Sequence, residues 1–292
     1  MDSKRAYCFP HEAGPSSGYL HYLFIYRHPR VTQPRRAPAT SCRNTMTNLL
    51  KSLNGWVNSG LSFLYPEICQ ICAENRATPD EGFVCAKCRS HVRWIKPPIC
   101  QCCGLPFEGA ITTAFECGNC RDLEPNFVWA RAAVASIDNV REVIHRYKYQ
   151  RALWFEPFLA GLLVEAAAPQ LAGQGWNRLI PVPLHPMRER EREFNQAERL
   201  AARLSAATNI PMQKGLVQRN IATRTQTQLT REERRANVRR AFSIARKQKL
   251  HGQRVVLVDD VLTTGATTSA CADVLLAAGA AEVCVWTVAR GI

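Results

Sequence analysis

One stretch in the last quarter of the chain does most to limit the folds it can adopt. Val255–Val258 are four consecutive apolar residues, three of them Val, which is typical of a strand buried on both faces. Two acids follow, Asp259 and Asp260, and then a run of small, hydroxyl-rich residues, Thr263–Thr267. Apolar residues then recur at helical spacing from Ala270 to Ala278. The stretch therefore predicts a strand, an acidic pair, a small loop and a helix.

This layout predicts a binding site for a sugar phosphate. Backbone N–H groups at a helix N-terminus bind anions, and carboxylates beside them suit sugar hydroxyls or a bridging Mg²⁺. The acidic strand of a P-loop ATPase is an alternative, but the Gly-x-x-x-x-Gly-Lys-Ser/Thr loop that it requires is missing from the sequence. A core strand whose acids cap the next helix is a second alternative, and it leaves the Thr-Thr-Gly-Ala-Thr loop unexplained.

The stretch resembles the phosphoribosyl pyrophosphate (PRPP) signature of the type I phosphoribosyltransferases. The resemblance implies that Asp259 and Asp260 bind the ribose 2′- and 3′-hydroxyls. It also implies that the loop binds the 5′-phosphate through Thr263, Thr264, Gly265, Ala266 and Thr267.

Eight of the thirteen cysteines form four Cys-x-x-Cys pairs: Cys69/Cys72, Cys85/Cys88, Cys100/Cys103 and Cys117/Cys120. The spacers inside the two halves are nearly equal, 12 and 13 residues. Each half offers four thiolates, enough for a closed tetrahedral Zn²⁺ site, so we expect about two structural zinc ions per chain. Sequential pairing is the simplest arrangement, and the spacing leaves crossed pairing open.

The rest of the chain predicts an α/β fold with a parallel sheet, preceded by the small Cys-rich double zinc ribbon. We predict four regions: a disordered basic leader (1–45), a short helix (46–65), the ribbon (66–125) and a phosphoribosyltransferase-like domain (126–292). Strands are predicted at 128–137, 179–183, 215–218 and 282–288, and helices at 140–149, 153–168 and 194–204. The leader is interpreted as a gene-model artefact that precedes Met46, with a basic anchoring tail as the alternative. No apolar run is long enough for a membrane span, and we expect a cytoplasmic protein.

The net charge of +14 is concentrated in two segments. Residues 1–45 contribute +5 and residues 219–249 contribute +8. Concentrated positive charge favours a polyanionic ligand, either a phosphate-rich small molecule or nucleic acid. Residues 219–240 are polar and arginine-rich, and we interpret them as a lid that closes over the ligand.

Three basic segments could bind the pyrophosphate of PRPP or form its lid. The candidates are Lys148, His185, Arg188, Arg192, Asn195, Gln196, Arg224, Arg234 and Arg235. Each segment is weak evidence by itself, because alternating Arg and Glu at 188–193 is also typical of a solvated helix face.

The order of these motifs resembles the ComF/GntX-like family of double-zinc-ribbon, phosphoribosyltransferase-like proteins, over residues 61–292. The motifs are Val-Pro-Leu-His-Pro from Val182, Phe-Asn-Gln from Phe194, Gln-Thr-Gln-Leu from Gln226, and the PRPP signature. Where the family usually has Arg-Gly-Phe-Asn-Gln, this chain has Glu193 in place of the glycine. The resemblance implies PRPP as ligand, Mg²⁺ with it, and a link to DNA uptake in natural competence.

Two hypotheses follow about function. The first is a phosphoribosyltransferase whose acceptor is unidentified, acting in DNA uptake or nucleotide-related metabolism. The second is a competence factor that binds single-stranded DNA and works with DNA-uptake proteins, with a regulatory or vestigial PRPP site. In the second, Trp94 and Trp129 could stack on bases, although core packing is the commoner role of tryptophan.

Overall fold

The computed structural model describes residues 67–109, 113–221, 241–245 and 248–292, apart from the side chain of Leu123. The predicted leader, the helix predicted at 46–65 and most of the predicted lid lie outside the described residues. Arg224, Arg234 and Arg235 lie outside them as well.

The described strands are β1 (Ala130–Ala135), β2 (Arg178–Pro181), β3 (Val217–Arg219), β4 (Phe242–Ile244), β5 (Arg254–Leu262) and β6 (Glu282–Arg290). Within the described part of the chain, four of them form a parallel sheet in the order β1-β6-β5-β2. β3 and β4 form a separate antiparallel pair. The predicted parallel sheet is therefore confirmed, and β5 lies inside it.

The described α-helices are α1 (Ala86–Ser90), α2 (Gly118–Leu123), α3 (Asp138–Tyr149), α4 (Glu156–Leu171), α5 (Pro186–Arg192), α6 (Gln196–Thr208) and α7 (Ala266–Ala277). A short 3₁₀ turn, Leu153–Phe155, precedes α4. Buried residues of α3, α4 and α6 share one core with the sheet, and those of α7 share a second. These helices cover opposite faces of the sheet, which is the arrangement expected of an α/β domain.

β5 is the centre of the fold because its residues alternate between the two cores. Val256 and Val258 belong to the core with α3, α4 and α6, whereas Val255 and Leu257 belong to the core with α7. All four are fully buried, which explains why the strand is continuously apolar.

Two elements differ from the predictions. β5 continues through both acids to Leu262, because its last residues still pair with β6 (Asp259 opposite Thr287 and Leu262 opposite Arg290). The acids therefore lie within the strand, close to its carboxyl end. The strand predicted at 179–183 ends at Pro181, and the segment after it contains helix α5, whose fixed proline at the first position suits a helix start.

The Cys-rich ribbon contributes to both cores. Cys69, Cys85 and Cys88 pack in the core with α3, whereas Cys100 and Cys103 pack in the core with α7. Gly104 has φ of +66°, and a Cβ there would lie 2.8 Å from the Ala130 carbonyl oxygen, so the turn and its closeness to β1 both require glycine.

Both tryptophans considered for base stacking pack against the core instead. Trp129 is partly buried and contacts Trp176 and Trp286 edge-to-face, with ring centroids 5.9 and 6.2 Å apart. Trp94 is partly buried beside β1, opposite Val134. Among the described residues, no helix has the length and apolar character needed to cross a membrane.

Candidate functional site: two cysteine clusters and an acidic cavity

The eight paired cysteines form two clusters among the described residues. Cys69, Cys72, Cys85 and Cys88 form the first cluster, and Cys100, Cys103, Cys117 and Cys120 form the second. Within each cluster the sulfur atoms all lie within 4.8 Å of one another. The sequential pairing is therefore the one observed.

The donor sets of both clusters fit zinc. Sulfur–sulfur distances are 3.8 Å for Cys69–Cys88 and 3.6 Å for Cys103–Cys117. Four sulfurs at about 2.3 Å from a tetrahedral Zn²⁺ lie about 3.8 Å apart, whereas a disulfide needs about 2.0 Å. Backbone N–H groups also donate to the sulfurs, as Cys117 N does to Cys100 Sγ at 3.3 Å. Four thiolates leave no open position, so the role of the metal is structural.

A cavity of about 400 Å³ opens at the carboxyl end of β5, where ligands bind in parallel α/β sheets. It is lined from α3, the segment after β2, α5, the start of α6, β3, β5 and the loop that follows β5. The lining residues are Ser136, Arg141, Ile144, His145, Lys148, Tyr149, Val182, Pro183, Leu184, Arg192, Gln196, Arg219, Asp259, Asp260, Val261, Thr263 and Thr267. Cations and carboxylates thus face the same space.

The two acids have different environments. Asp260 is almost completely buried, and its Oδ2 forms an ion pair with Lys148 Nζ at 2.8 Å. Asp259 is partly exposed, and its Oδ1 accepts a hydrogen bond from the Asp260 backbone N–H at 2.8 Å. Lys148, which the sequence suggested as a pyrophosphate ligand, therefore contacts the acidic pair directly.

Desolvation of its carboxyl group and the neighbouring charge of Asp260 together raise the pKa of Asp259 to about 8, against the opposing effect of Lys148. The raised pKa makes the neutral acid easier to reach near neutral pH than it is for an ordinary aspartate. Perturbed acids of this kind are common in ligand-binding and catalytic sites.

The loop after β5 has the shape of an anion cradle. Gly265 adopts φ of +85°, which a side chain would oppose, and it is the N-cap of α7. The helix begins at Ala266, so the predicted loop is shorter than expected and Ala266 and Thr267 form its first turn. The early N–H groups of a helix have no intrahelical acceptor, and they point toward the space before the helix.

Only some of the site residues predicted from the sequence line the cavity. Asp259, Asp260, Thr263, Thr267, Lys148, Arg192 and Gln196 line the cavity, and Thr264, Gly265 and Ala266 form the turn between the two threonines without lining it. His185, Arg188 and Asn195 do not line it.

Two of these outlying candidates are helix caps. His185 Nδ1 accepts from Met187 N at 3.2 Å at the start of α5, and Asn195 Oδ1 accepts from Ala197 N at 2.9 Å at the start of α6. Asn195 also donates to the Val182 carbonyl at 3.2 Å, which ties α6 to the end of β2. Arg188 pairs with Glu191 on the exposed face of α5.

Five polar or aromatic residues line the cavity but were not among the predicted site residues: Ser136, Arg141, His145, Tyr149 and Arg219. Three of them lie on α3 with Lys148. Arg141 lies seven residues before Lys148 and His145 lies three before it. Residues at these spacings share a helix face, so the spacing could have identified both as part of the site.

Two family models match separate parts of the chain. Residues 60–121 match a family model described as a double zinc ribbon domain, and residues 162–291 match one described as a phosphoribosyl transferase domain.

Three curated relatives are similar over most of their length. Competence protein F of Haemophilus influenzae is 33% identical over 228 residues, covering 76% of this chain and 96% of the relative. DNA utilization protein YhgH of Salmonella typhimurium is 31% identical over 230 residues, covering 77% and 97%. Competence protein ComFC of Bacillus subtilis is 28% identical over 226 residues, covering 73% and 85%.

The fold and site thus define a protein that carries a double zinc ribbon on a phosphoribosyltransferase-like α/β domain. The chain belongs to the ComF-like family.

Proposed function

We propose that the cavity at the end of β5 binds PRPP and that the protein transfers its phosphoribosyl group to an acceptor. One observation carries the proposal: a single cavity brings together Asp259, Asp260, Thr263 and Thr267 with the cations of α3 and α5. These are the groups that ribose hydroxyls, a 5′-phosphate and a pyrophosphate require.

In the proposed complex, Asp259 and Asp260 accept hydrogen bonds from the ribose hydroxyls. Thr263–Thr267 bind the 5′-phosphate at the N-terminus of α7. Lys148 and Arg192, which line the same cavity, bind the pyrophosphate.

The reaction would separate charge within this cavity. Positive charge develops on the ribosyl carbon as pyrophosphate leaves, and fixed carboxylates and cations lower the barrier when they face the respective charges. Carboxylates and hydroxyls are also the oxygen donors that suit Mg²⁺, and Asp259 and Asp260 would hold it together with the ligand. Bound there, Mg²⁺ would neutralise the pyrophosphate.

Thermal unfolding with and without Mg²⁺·PRPP tests the proposal. Saturating ligand should raise the Tm of the wild-type protein, because a ligand that binds only the folded state stabilises it. Asp259→Asn with Asp260→Asn should abolish the shift. Asp80→Asn, which changes an exposed acid in the ribbon, should keep it. An unchanged wild-type Tm, supported by calorimetry showing no heat of binding, contradicts PRPP binding.

Transfer itself needs a separate measurement. Release of pyrophosphate from PRPP should depend on an acceptor, and screening nucleobases and related nitrogen compounds would identify it. Binding of PRPP without acceptor-dependent release would instead favour a regulatory site.

We also propose a role in DNA utilization, within the cytoplasm, where cysteine thiolates remain available to zinc. The names of the relatives and the concentrated positive charge support this role. Binding to single-stranded DNA should weaken steeply with salt, because phosphate contacts release counterions. Arg→Ala changes within residues 231–240 should weaken it further. Salt-independent or absent binding contradicts the DNA-binding hypothesis.

A further inference from the structure

Arg290, near the end of β6, is a buried cation that joins the second cysteine cluster to the phosphate loop. Its guanidinium Nη1 donates to the carbonyl oxygens of Leu262 at 2.9 Å, Thr263 at 2.5 Å and Gly291 at 2.7 Å. Its Nη2 lies 3.4 Å from Cys103 Sγ, toward which it donates. The residue is only 3% exposed, so water competes little with these bonds.

A second contact reaches the next residue of the loop. Asn119, on α2 between Cys117 and Cys120, donates from Nδ2 to the Thr264 carbonyl oxygen at 2.9 Å. The two side chains together hold three consecutive carbonyls, those of residues 262, 263 and 264, on the side of the ribbon.

Holding these carbonyls also fixes the direction of the amides. In a planar trans peptide, the N–H of one residue points opposite to the preceding carbonyl. Carbonyls of Thr263 and Thr264 that face the ribbon therefore direct the N–H groups of Thr264 and Gly265 away from it. An anion site works best when such N–H groups are already oriented before the anion arrives.

We propose that Arg290 and Asn119 are positioning residues, through which the zinc-bound second cluster preorients the amides of the phosphate loop. The proposal rests on PRPP binding as the function of the cavity. It implies that PRPP bound at the loop slows the loss of zinc from the second cluster, and that zinc in this cluster strengthens the binding of PRPP. The two effects go together because coupling between two sites is reciprocal.

The first cluster provides an internal comparison. Its described bonds to the α/β domain reach α3 and α4 and not the phosphate loop. Arg146 on α3 donates to the Gln70 carbonyl at 2.7 Å, and Arg89 pairs with Glu165 on α4 at 2.7 Å. Coupling through Arg290 and Asn119 should therefore affect only one of the two zinc ions.

The experiment measures zinc release to a chromophoric chelator from the full-length holoprotein, with and without saturating Mg²⁺·PRPP, beside calorimetry of PRPP binding. In the wild type, PRPP should slow the release of one zinc equivalent at least about threefold, and leave the other unchanged. The Asp259→Asn/Asp260→Asn variant corrects for any zinc that PRPP itself takes up.

Asn119→Ala and Arg290→Lys should lose this protection and bind PRPP about three- to tenfold more weakly, the range expected for one net hydrogen bond. Asn119 is only partly buried, so its variant tests the proposal even if the buried Arg290→Lys protein does not fold. Arg131→Lys is the matched control and should behave as wild type, because Arg131 also donates to a ribbon carbonyl, that of Gln101 at 2.9 Å, without a described bond to the loop.

Two results overturn the proposal while leaving PRPP binding intact. One is release of both ions at unchanged rates in wild-type protein that calorimetry shows to be saturated with PRPP. The other is full protection and full affinity in Asn119→Ala. Absence of any PRPP binding by the wild type refutes the proposed function, and this inference with it.

Discussion

Glu193 shows how one residue can keep a turn that usually has glycine. It is the C-cap of α5 with φ of +68°, in the left-handed region that glycine enters without strain. The Glu193 N–H still bonds the Glu189 carbonyl at 2.7 Å, and its carboxylate pairs with Arg151. Glu193 therefore makes, with a side chain, a left-handed turn of the kind that glycine enters most readily.

Glu193→Gly should raise the free energy of unfolding by up to about 2 kcal/mol. Relief of left-handed backbone strain gains about 1–2 kcal/mol, and loss of an exposed ion pair costs up to about 1 kcal/mol. Urea denaturation measures the change. Glu189→Gly, inside α5, is the control and should instead lower stability by about 1 kcal/mol. A less stable Glu193→Gly protein would show that the backbone at this position is not strained.

The raised pKa of Asp259 predicts how PRPP affinity varies with pH. Ribose hydroxyls donate hydrogen bonds, so the carboxylate is the binding form, and its fraction rises as pH passes about 8. Affinity should therefore increase about tenfold between pH 7 and 9 and then level off. Calorimetry in buffers of different ionisation enthalpy should also detect proton release on binding. The PRPP affinity of Asp259→Asn should not vary with pH in this range. If its affinity changes with pH as much as that of the wild type, a group other than Asp259 is the one that titrates.

At the scale of secondary-structure elements, the Lys148–Asp260 ion pair links α3 to β5 across the cavity. The side chains are 17% and 4% exposed, so water screens the pair only weakly. Lys148→Met should lower stability by about 3–5 kcal/mol, because it leaves a buried carboxylate without its partner.

The double variant Lys148→Met/Asp260→Asn separates the structural part of this pair from its part in binding. It should recover most of the lost stability, since no uncompensated charge remains, yet it should still bind PRPP weakly. Denaturation curves and calorimetry on the four proteins of the cycle provide both measurements. Equal destabilisation in the single and double variants would show that loss of the ion pair is not what lowers the stability of Lys148→Met.

Most elements of the sheet domain could be predicted, because apolar periodicity reports burial directly. The helices at 138–149 and 196–208 and the strand at 282–290 lie close to their predicted positions. The end of β5 could not be predicted, since Asp259 and Asp260 look like loop residues until β6 is seen beside them. His185 and Asn195, predicted as pyrophosphate or lid residues, cap helices α5 and α6 in the structure. The sequence does not separate the two roles, because side chains that bind ligands are also those that cap helices.

At the scale of the molecule, the ribbon and the α/β domain should unfold together. Cysteines of the first cluster share a core with α3 and α4, and those of the second share a core with α7. Loss of zinc should thus lower the unfolding temperature of the whole described unit, and not of the ribbon alone. Calorimetry before and after chelation tests this, with metal analysis expected to give about two zinc ions per chain. Two independent transitions, or a chain without zinc, would contradict it.

The docking of the ribbon is the part that the sequence did not reveal. Arg290 and Cys103 are separated by 187 positions, and no local pattern relates them. Cys-x-x-Cys spacing predicts the metal sites because their ligands are close in the chain, whereas contacts of this length depend on the finished fold.

The shared cores also limit how this protein could have changed during evolution. Cutting the chain at the predicted boundary near residue 126 would expose Phe127 and the close contact between Gly104 and Ala130, so the two regions are not exchangeable modules. A descendant that lost its cysteines would have to fill the same volume with apolar side chains. Such a replacement would leave correlated substitutions among the buried residues of β1, where aligned sequences could reveal it.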